Sequence, residues 1–237
     1  MNATSPPTTV LLATRNAHKV EEIHALLGDK FCCVTLNDFP GAPAVVEDAV
    51  TFAGNATKKA VALAQWLAAP GAASRVPRPA FTLADDSGLE VDALNGAPGV
   101  HSARFAALDK NENSPDAANN AKLLRLLQGV PPEKRTGRFR CVIALVGVAL
   151  DPRGPMPDPV LFDGVCAGRI AFAPRGRGGF GYDPLFLPDG FEQSFAELGE
   201  EVKNRLSHRA KALAKLCAAF ALNATAGNTS GTQPPQD

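Results

Sequence analysis

An α/β fold with a mixed β-sheet is the architecture this chain predicts, on three observations. Short apolar runs alternate early with amphipathic helical stretches, the pattern of strand–helix units. Two long β runs then face each other across a proline-bearing turn, which adds an antiparallel hairpin to the sheet. The first strand–helix turn, around Thr14-Arg15-Asn16, carries neither Gly-x-Gly-x-x-Gly nor Gly-Lys-Ser/Thr, which excludes the standard dinucleotide and P-loop sites.

Residues 9–14 are a β-branched and apolar run, a buried strand. Residues 16–27 follow as a helix with Val20, Ile23, Leu26 and Leu27 on one face, ended by Gly28. Residues 31–36 are a second strand. Residues 51–69 are a long helix with the apolar stripe Phe52, Ala56, Ala60, Leu63 and Leu67. Residues 70–79, rich in Pro, Ala, Gly and Arg, read as a surface loop, and 80–84 as a strand running into an acidic turn. Ser114-Pro115-Asp116 opens a helix with Ser114 as cap and the acid beside the positive dipole end; it runs to Gln128 and stops at Gly129. Residues 138–150 and 160–170 are the hairpin strands around a turn at 151–159. Residues 191–198 and 207–222 are helical, the latter with Leu213, Leu216, Cys217 and Phe220 inward. The ends, 1–8 and 223–237, have too little apolar bulk to offset their ordering entropy. They read as disordered tails on one domain spanning 9–222.

The 24 Lys and Arg balance the 24 Asp and Glu, so no global basic field exists to hold a nucleic-acid backbone, and anion binding must be local. The five cysteines show no zinc or redox spacing and read as reduced thiols. No apolar run reaches membrane-spanning length, and residues 1–9 lack the regions of a signal peptide, so a cytoplasmic protein is expected.

Four constellations carry chemistry. Thr14-Arg15-Asn16-Ala17-His18-Lys19 joins a strand end to a helix start, where free N–H groups and the dipole favour an anion; the plain alternative is Asn16 as a cap and Lys19 in solvent. In Asp85-Asp86-Ser87-Gly88 adjacent side chains point opposite ways, so only one carboxylate faces a shared pocket, where it can hold Mg²⁺ or take a proton from water. The plain alternative there is an Asx-turn. Glu47, in a loop before the long helix, is a further metal ligand or simply a helix-start charge. Gly179-Phe180-Gly181-Tyr182-Asp183 places two aromatics two apart; on an extended chain they share a side and clamp a flat ring, and otherwise they fall into the core. Lys203 and Ser207-His208-Arg209 put cations near a helix start, where the dipole opposes them, which points either to donors for a keto oxygen or to a surface turn.

In series these motifs resemble the inosine/xanthosine triphosphate pyrophosphatase family, from about Val10 to Leu222. The pieces are Ala13 to Lys19, Thr51-Phe52 with Asn55-Ala56, Ala84 to Leu89, Gly96 to Val100 with Ser102-Ala103-Arg104, Gly178 to Pro184, and Ser207-His208-Arg209. The resemblance implies a long mixed sheet in two lobes with a cleft between them, a homodimer, and hydrolysis of deaminated purine nucleoside triphosphates to monophosphate and pyrophosphate. It implies that Thr14 through Lys19 cradle the triphosphate and that Asp86 is metal ligand and proton acceptor, with Glu47 a second ligand for Mg²⁺. Ser87 would touch substrate, Phe180, Gly181, Tyr182 and Asp183 would hold base and sugar, and Lys203, His208 and Arg209 would read the base. Two departures stand out: Arg15 where the family often has Gly, and Gly54 where a Glu is expected. The competing readings are a pyrophosphatase for other modified nucleotides and a non-catalytic nucleotide- or RNA-binding module.

Overall fold

The computed structural model describes residues 7–69, 76, 79–107, 113–149, 151 and 154–227, with side chains to residue 222. Six strands form one open mixed sheet in the order β2-β1-β3-β4-β5-β6. β1 (Thr8–Leu12) pairs in parallel with β2 (Phe31–Thr35) and with β3 (Phe81–Val91). β4 (Thr136–Gly147), β5 (Val160–Ile170) and β6 (Phe186–Pro188) continue it antiparallel. α1 (Ala17–Leu27) links β1 to β2, and α2 (Phe52–Ala68) links β2 to β3. α3 (Asp116–Leu126) precedes β4, while α4 (Phe195–Leu206) and α5 (His208–Gly227) close the chain.

Strand alternation sorts the apolar residues onto two faces. Leu11, Ala84, Ala144 and Val146 pack against α2, whose buried stripe holds all five predicted apolar positions. Val10, Leu12, Leu83, Cys141, Ile143 and Leu145 pack against Ile23 of α1 and Leu213 and Leu216 of α5. A third cluster, with Leu89, Val91, Phe139, Tyr182, Phe186 and Phe195, covers the far ends of β3 and β4. Residues 85–88 of β3 pass between these lobes, and there the sheet is free to carry polar groups.

Several predicted boundaries move, for physical reasons. β3 does not stop at an acidic turn: it runs through Asp85-Asp86-Ser87-Gly88, each paired across to β4. The strand survives because its acids find partners on both faces. Gly88 allows the 3₁₀ turns of Gly99–Ala107 to lie on it, since a Cβ there would stand 2.5 Å from Gly99 O. Ser114 does not cap α3. Pro115 takes the cap position without a side-chain bond, and the buried Ser114 hydroxyl has no partner among the described residues. The fourth helix starts at Phe195 behind a Ser194–Glu197 capping box, so Lys203 is helical and not part of a basic turn. Thr8 already pairs with Phe31, and α5 continues through Gly227. Residues 1–6 and 228–237, most of the 70–79 loop and part of the 151–159 turn lie outside the described residues.

α5 reaches the sheet because β5 offers Gly164 beneath it. A Cβ at this position would collide with His208 O and stand 2.7 Å from Ala212 N. Gly164→Ala is expected to destabilise by about 1–3 kcal/mol through overpacking. A lowered urea midpoint at unchanged slope would register it; an unaltered midpoint would show that α5 shifts freely.

Candidate active site

A cleft of about 500 Å³ opens beside residues 86–88, lined by the β1–α1 loop, the 43–47 segment, the 100–104 turns, the start of α3, the 180–183 loop and the α4–α5 junction. The predicted residues Thr14, Arg15, Asn16, Lys19, Glu47, Asp86, Ser87, Phe180, Gly181, Tyr182, Asp183, Lys203, His208 and Arg209 all line it; Ala17 and His18 stand at its edge on α1.

The β1–α1 loop folds by local bonds. Asn16 N donates to Thr14 Oγ1 at 3.1 Å, and Lys19 N donates to Asn16 Oδ1 at 3.2 Å, so Asn16 caps α1. The first turn of α1 contains no acid to compete for an anion. His18 turns out of this cradle, and its ring lies parallel to Phe180, 5.2 Å between centroids. Lys19 turns inward instead of into solvent.

The two aspartates separate as alternation requires. Asp85 points to the α1/α5 face and is 1% exposed. Lys19 forms an ion pair with it, Arg209 Nε donates to its Oδ2 at 3.1 Å, and Cys141 Sγ donates to the same oxygen at 2.9 Å. Burial pushes this carboxyl up, but Arg209 and Lys19 outweigh burial and hold it well below the usual carboxylate range. Burial likewise opposes the charge on Lys19, and Asp85 overrides it, leaving the ammonium raised.

Asp86 points to the α2 face. Asn55 Nδ2 donates to its Oδ2 at 3.0 Å and Ser87 N to its Oδ1 at 3.0 Å. Burial raises its pKa above the ordinary value, against the pull of Lys59 and Lys19, and the nearby Glu47 charge pushes the same way as burial. Lys59 Nζ donates to Glu47 Oε2 at 2.9 Å and to Asp85 O at 2.8 Å. The motif reading contains Asn55 without giving it a role, and passes over Lys59. Their signal is two polar side chains four apart on the buried side of α2. Gly54 carries no side chain because Ala49 Cβ would stand 2.8 Å from its Cβ.

The 180–183 loop departs from a two-ring clamp. Positive φ at Gly176, Gly179 and Gly181 turns the loop, so Phe180 and Tyr182 do not share a side. Tyr182 is 3% exposed in the third core cluster, and its hydroxyl donates to Ser102 O at 2.9 Å. Phe180 stays at the cleft, its ring stacked on His18 with the Lys203 ammonium over it. Asp183 clamps the loop by accepting from Phe180 N at 2.9 Å, and Lys203 Nζ reaches the same oxygen at 2.5 Å. Burial holds the Asp183 carboxyl above its usual range despite Lys203. Gly181 is held on both sides, its N–H by Asp116 at 2.6 Å and its carbonyl by Asn120 at 3.0 Å.

Lys203 and Arg209 are further bound by Glu22, one turn along α1 from Lys19: Lys203 Nζ lies 2.6 Å from Glu22 Oε1, and Arg209 pairs with Oε2. Three acids, Asp85, Glu22 and Asp183, thus balance three bases, Lys19, Lys203 and Arg209. Glu22 is legible only as the i+3 neighbour of Lys19 on the same helix face. His208 is not the cation the sequence suggests. Burial, then Arg209, lowers its pKa well below the ordinary histidine value, so the ring is neutral and stacks on Phe139 at 4.8 Å. Its buried Nδ1 has no partner among the described residues. Ser207 Oγ accepts from Ala210 N at 3.2 Å and caps α5 as expected.

Because the Asp85 carboxyl is depressed, its ion pairs stabilise the fold fully above the unfolded value of about 3.9, and that stability is lost only as pH falls toward the folded value. Asp85→Asn leaves two buried cations short of a partner and is expected to cost about 3–5 kcal/mol at pH 7. In urea titrations the gap between wild type and variant should hold from pH 7 to about 5 and narrow below about 4. A gap that widened with acid would contradict the assignment.

Residues 10–219 match the model of the Ham1 family. A dITP/XTP pyrophosphatase of Desulforamulus reducens is 50% identical over 209 residues, covering 87% of this chain and 92% of the relative. One from Geobacillus kaustophilus is 51% identical over 208 residues, with 87% and 91% covered. Among solved structures, a HAM1 protein from Coxiella burnetii superposes with a TM-score of 0.73 at 36% identity over 90% of this chain and 98% of that one. The Staphylococcus aureus Ham1 protein gives 0.73 at 33%, over 91% and 100%. With the family model covering nearly the whole described fold, the chain belongs to the Ham1 family.

Proposed function

We propose that the protein hydrolyses deaminated purine nucleoside triphosphates, ITP, dITP and XTP, to the monophosphate and pyrophosphate, and so removes them from the nucleotide pool. Two similar proteins carry the name dITP/XTP pyrophosphatase. The observation that carries the reading is Asp86: a buried, hydrogen-bonded carboxylate facing a cleft that has a helix-start anion cradle and cationic donors beneath an aromatic ring.

Water attacks the α-phosphorus and its proton passes to Asp86. The bond from that phosphorus to the α–β bridging oxygen breaks, and the electron pair leaves with pyrophosphate. A carboxyl raised by burial is the better proton acceptor. Asn55 and Ser87 N fix its two oxygens, so the acceptor needs little reorganisation.

The donor set fits a hard divalent cation. Asp86 and Glu47 both line the cleft and repel each other. Among the described residues no third His, Cys, Asp or Glu completes them into a larger cluster. One or two carboxylates with substrate phosphates is how Mg²⁺ is held. Asp86 and Glu47 would hold it, and when bound it supplies neutralising charge on the phosphoryl oxygens.

Base selection follows from donor counting. Lys203 has three N–H groups, two of them given to Asp183 and Glu22. Arg209 has five, spent mostly on Asp85, Glu22 and Ser87. What remains can only donate, so it pairs with a six-position oxygen and opposes an amino group. Lys203 Nζ lies over the Phe180 ring, 4.5 Å from its centroid, so a base entering beside Phe180 meets its remaining donor.

The proposal includes a homodimer and a cytoplasmic location. The first is supported by the family resemblance, the second by five free cysteines. No helix among the described residues is long and apolar enough to cross a membrane. The charge balance speaks against a nucleic-acid partner.

With Mg²⁺, the purified protein should release pyrophosphate from ITP, dITP and XTP in strong preference to ATP, and Asp86→Asn should lower turnover by roughly 10²–10⁴. Equal turnover of ATP, or near-normal turnover by the variant, would reject the reading. Modified pyrimidine nucleotides in the same panel test the competing substrate class.

A further inference from the structure

Arg104 belongs to the segment Ser102-Ala103-Arg104, and the chemistry above gives it no task. Six Lys and Arg side chains line the cleft: Arg15, Lys19, Lys59, Arg104, Lys203 and Arg209. Four are committed to carboxylates, Lys19 to Asp85, Lys59 to Glu47, Lys203 to Asp183 and Glu22, and Arg209 to Asp85 and Glu22. Among the described residues Arg15 and Arg104 have no carboxylate partner. Each gives one N–H to a backbone carbonyl, Arg15 to Ala42 O at 3.4 Å and Arg104 to Glu47 O at 3.2 Å. A guanidinium has five N–H groups in a planar fork, so Arg104 keeps four unengaged donors on the cleft.

Its placement is firm. Ser102 Oγ accepts from Leu89 N at 2.9 Å and donates to Gly99 O at 2.6 Å, which fastens the turn to β3 three residues past Asp86. The 3₁₀ geometry breaks at Arg104 itself, at φ −121° and ψ 19°. The side chain then meets the main chain of Glu47, whose carboxylate lies near Asp86. A half-buried guanidinium that lines the same cleft as Glu47 and Asp86, bound to neither carboxylate, has its charge unspent.

We propose that Arg104 binds the β- and γ-phosphoryl groups and takes up the charge of the departing pyrophosphate, while tying the Glu47 segment over the same groups. This rests on the triphosphate reading above. Planar forks match phosphate oxygens bidentately, and charge placed on the leaving group counts most as the bond breaks.

The test is calorimetric titration of wild type and two variants with magnesium pyrophosphate and, separately, with inosine monophosphate. Arg104→Ala should weaken pyrophosphate binding by about 10- to 100-fold and leave the monophosphate within about twofold. Arg104→Gln keeps an amide donor for Glu47 O but not the charge, and should lose pyrophosphate comparably. Wild-type pyrophosphate affinity in Arg104→Gln would overturn the proposal, since holding the Glu47 segment would then be the residue's whole task. Parallel loss of both ligands, or no pyrophosphate binding by wild type, would overturn it as well. Failure of ITP turnover in the substrate panel would instead reject the substrate assignment, because these titrations do not depend on the base.

Discussion

Asp85 is buried where β3, α1 and α5 meet, and its charge is matched there by Lys19 from one helix and Arg209 from the other. Removing a carboxylate from water costs several kcal/mol, so the strand can carry it only if both helices deliver their cations. That requirement sets where α1 and α5 dock. Lys19 draws the first turn of α1 onto the sheet, and the cradle at its start follows. Arg209 draws in α5, whose approach Gly164 permits. Glu22 and Asp183 then fasten Lys203 and with it the Phe180 loop. A charge that must be neutralised thus assembles three chain segments into one pocket wall.

Its neighbour shows the other use of an acid. One residue along an extended strand reverses the side chain, and Asp86 meets an amide and a backbone N–H, with the charge of Lys59 acting on it without an ion pair, instead of two close cations. The same residue type therefore has opposite proton affinities on the two faces. Asp85 keeps its charge under all ordinary conditions and acts as structure. Asp86 is held but not neutralised, which is the state a proton acceptor and cation ligand needs.

How much of this was legible depends on the range of the interaction. The apolar stripe of α2, the hairpin of β4 and β5, and the Asn16 and Ser207 caps follow from spacing within one element, and the structure has them. The opposite facing of Asp85 and Asp86 follows from strand geometry once the segment is extended. What spacing cannot convey is pairing across the fold. Asp85 reads as a turn residue until Arg209, far along the chain, is brought to it. Phe180 and Tyr182 read as a pair until the positive-φ Gly181 between them turns the chain. Asn55, Lys59 and Glu22 carry only a weak signal, polarity on a buried helix face, which gains meaning when the facing carboxylates and cations are known. His208 misleads for the same reason: its charge is removed by burial and a neighbouring guanidinium.

The distribution of spent and unspent charge explains how a protein of zero formal net charge can act on a polyanion. In the proposed reaction Lys203 and Arg209 meet the base; they are nearly saturated by acids, so what they would add is direction: a few oriented donors that tell an oxygen from an amine. Saturation also keeps them from attracting phosphate, which would otherwise compete for the base pocket. Arg15 and Arg104, proposed to meet the phosphates, are bound to neutral carbonyls alone and keep their attraction for anions. Affinity and discrimination are thereby assigned to different residues. On this proposal a nucleotide is drawn in by its triphosphate, common to all of its kind, and retained according to its base, where little electrostatic pull exists to mask a missing hydrogen bond.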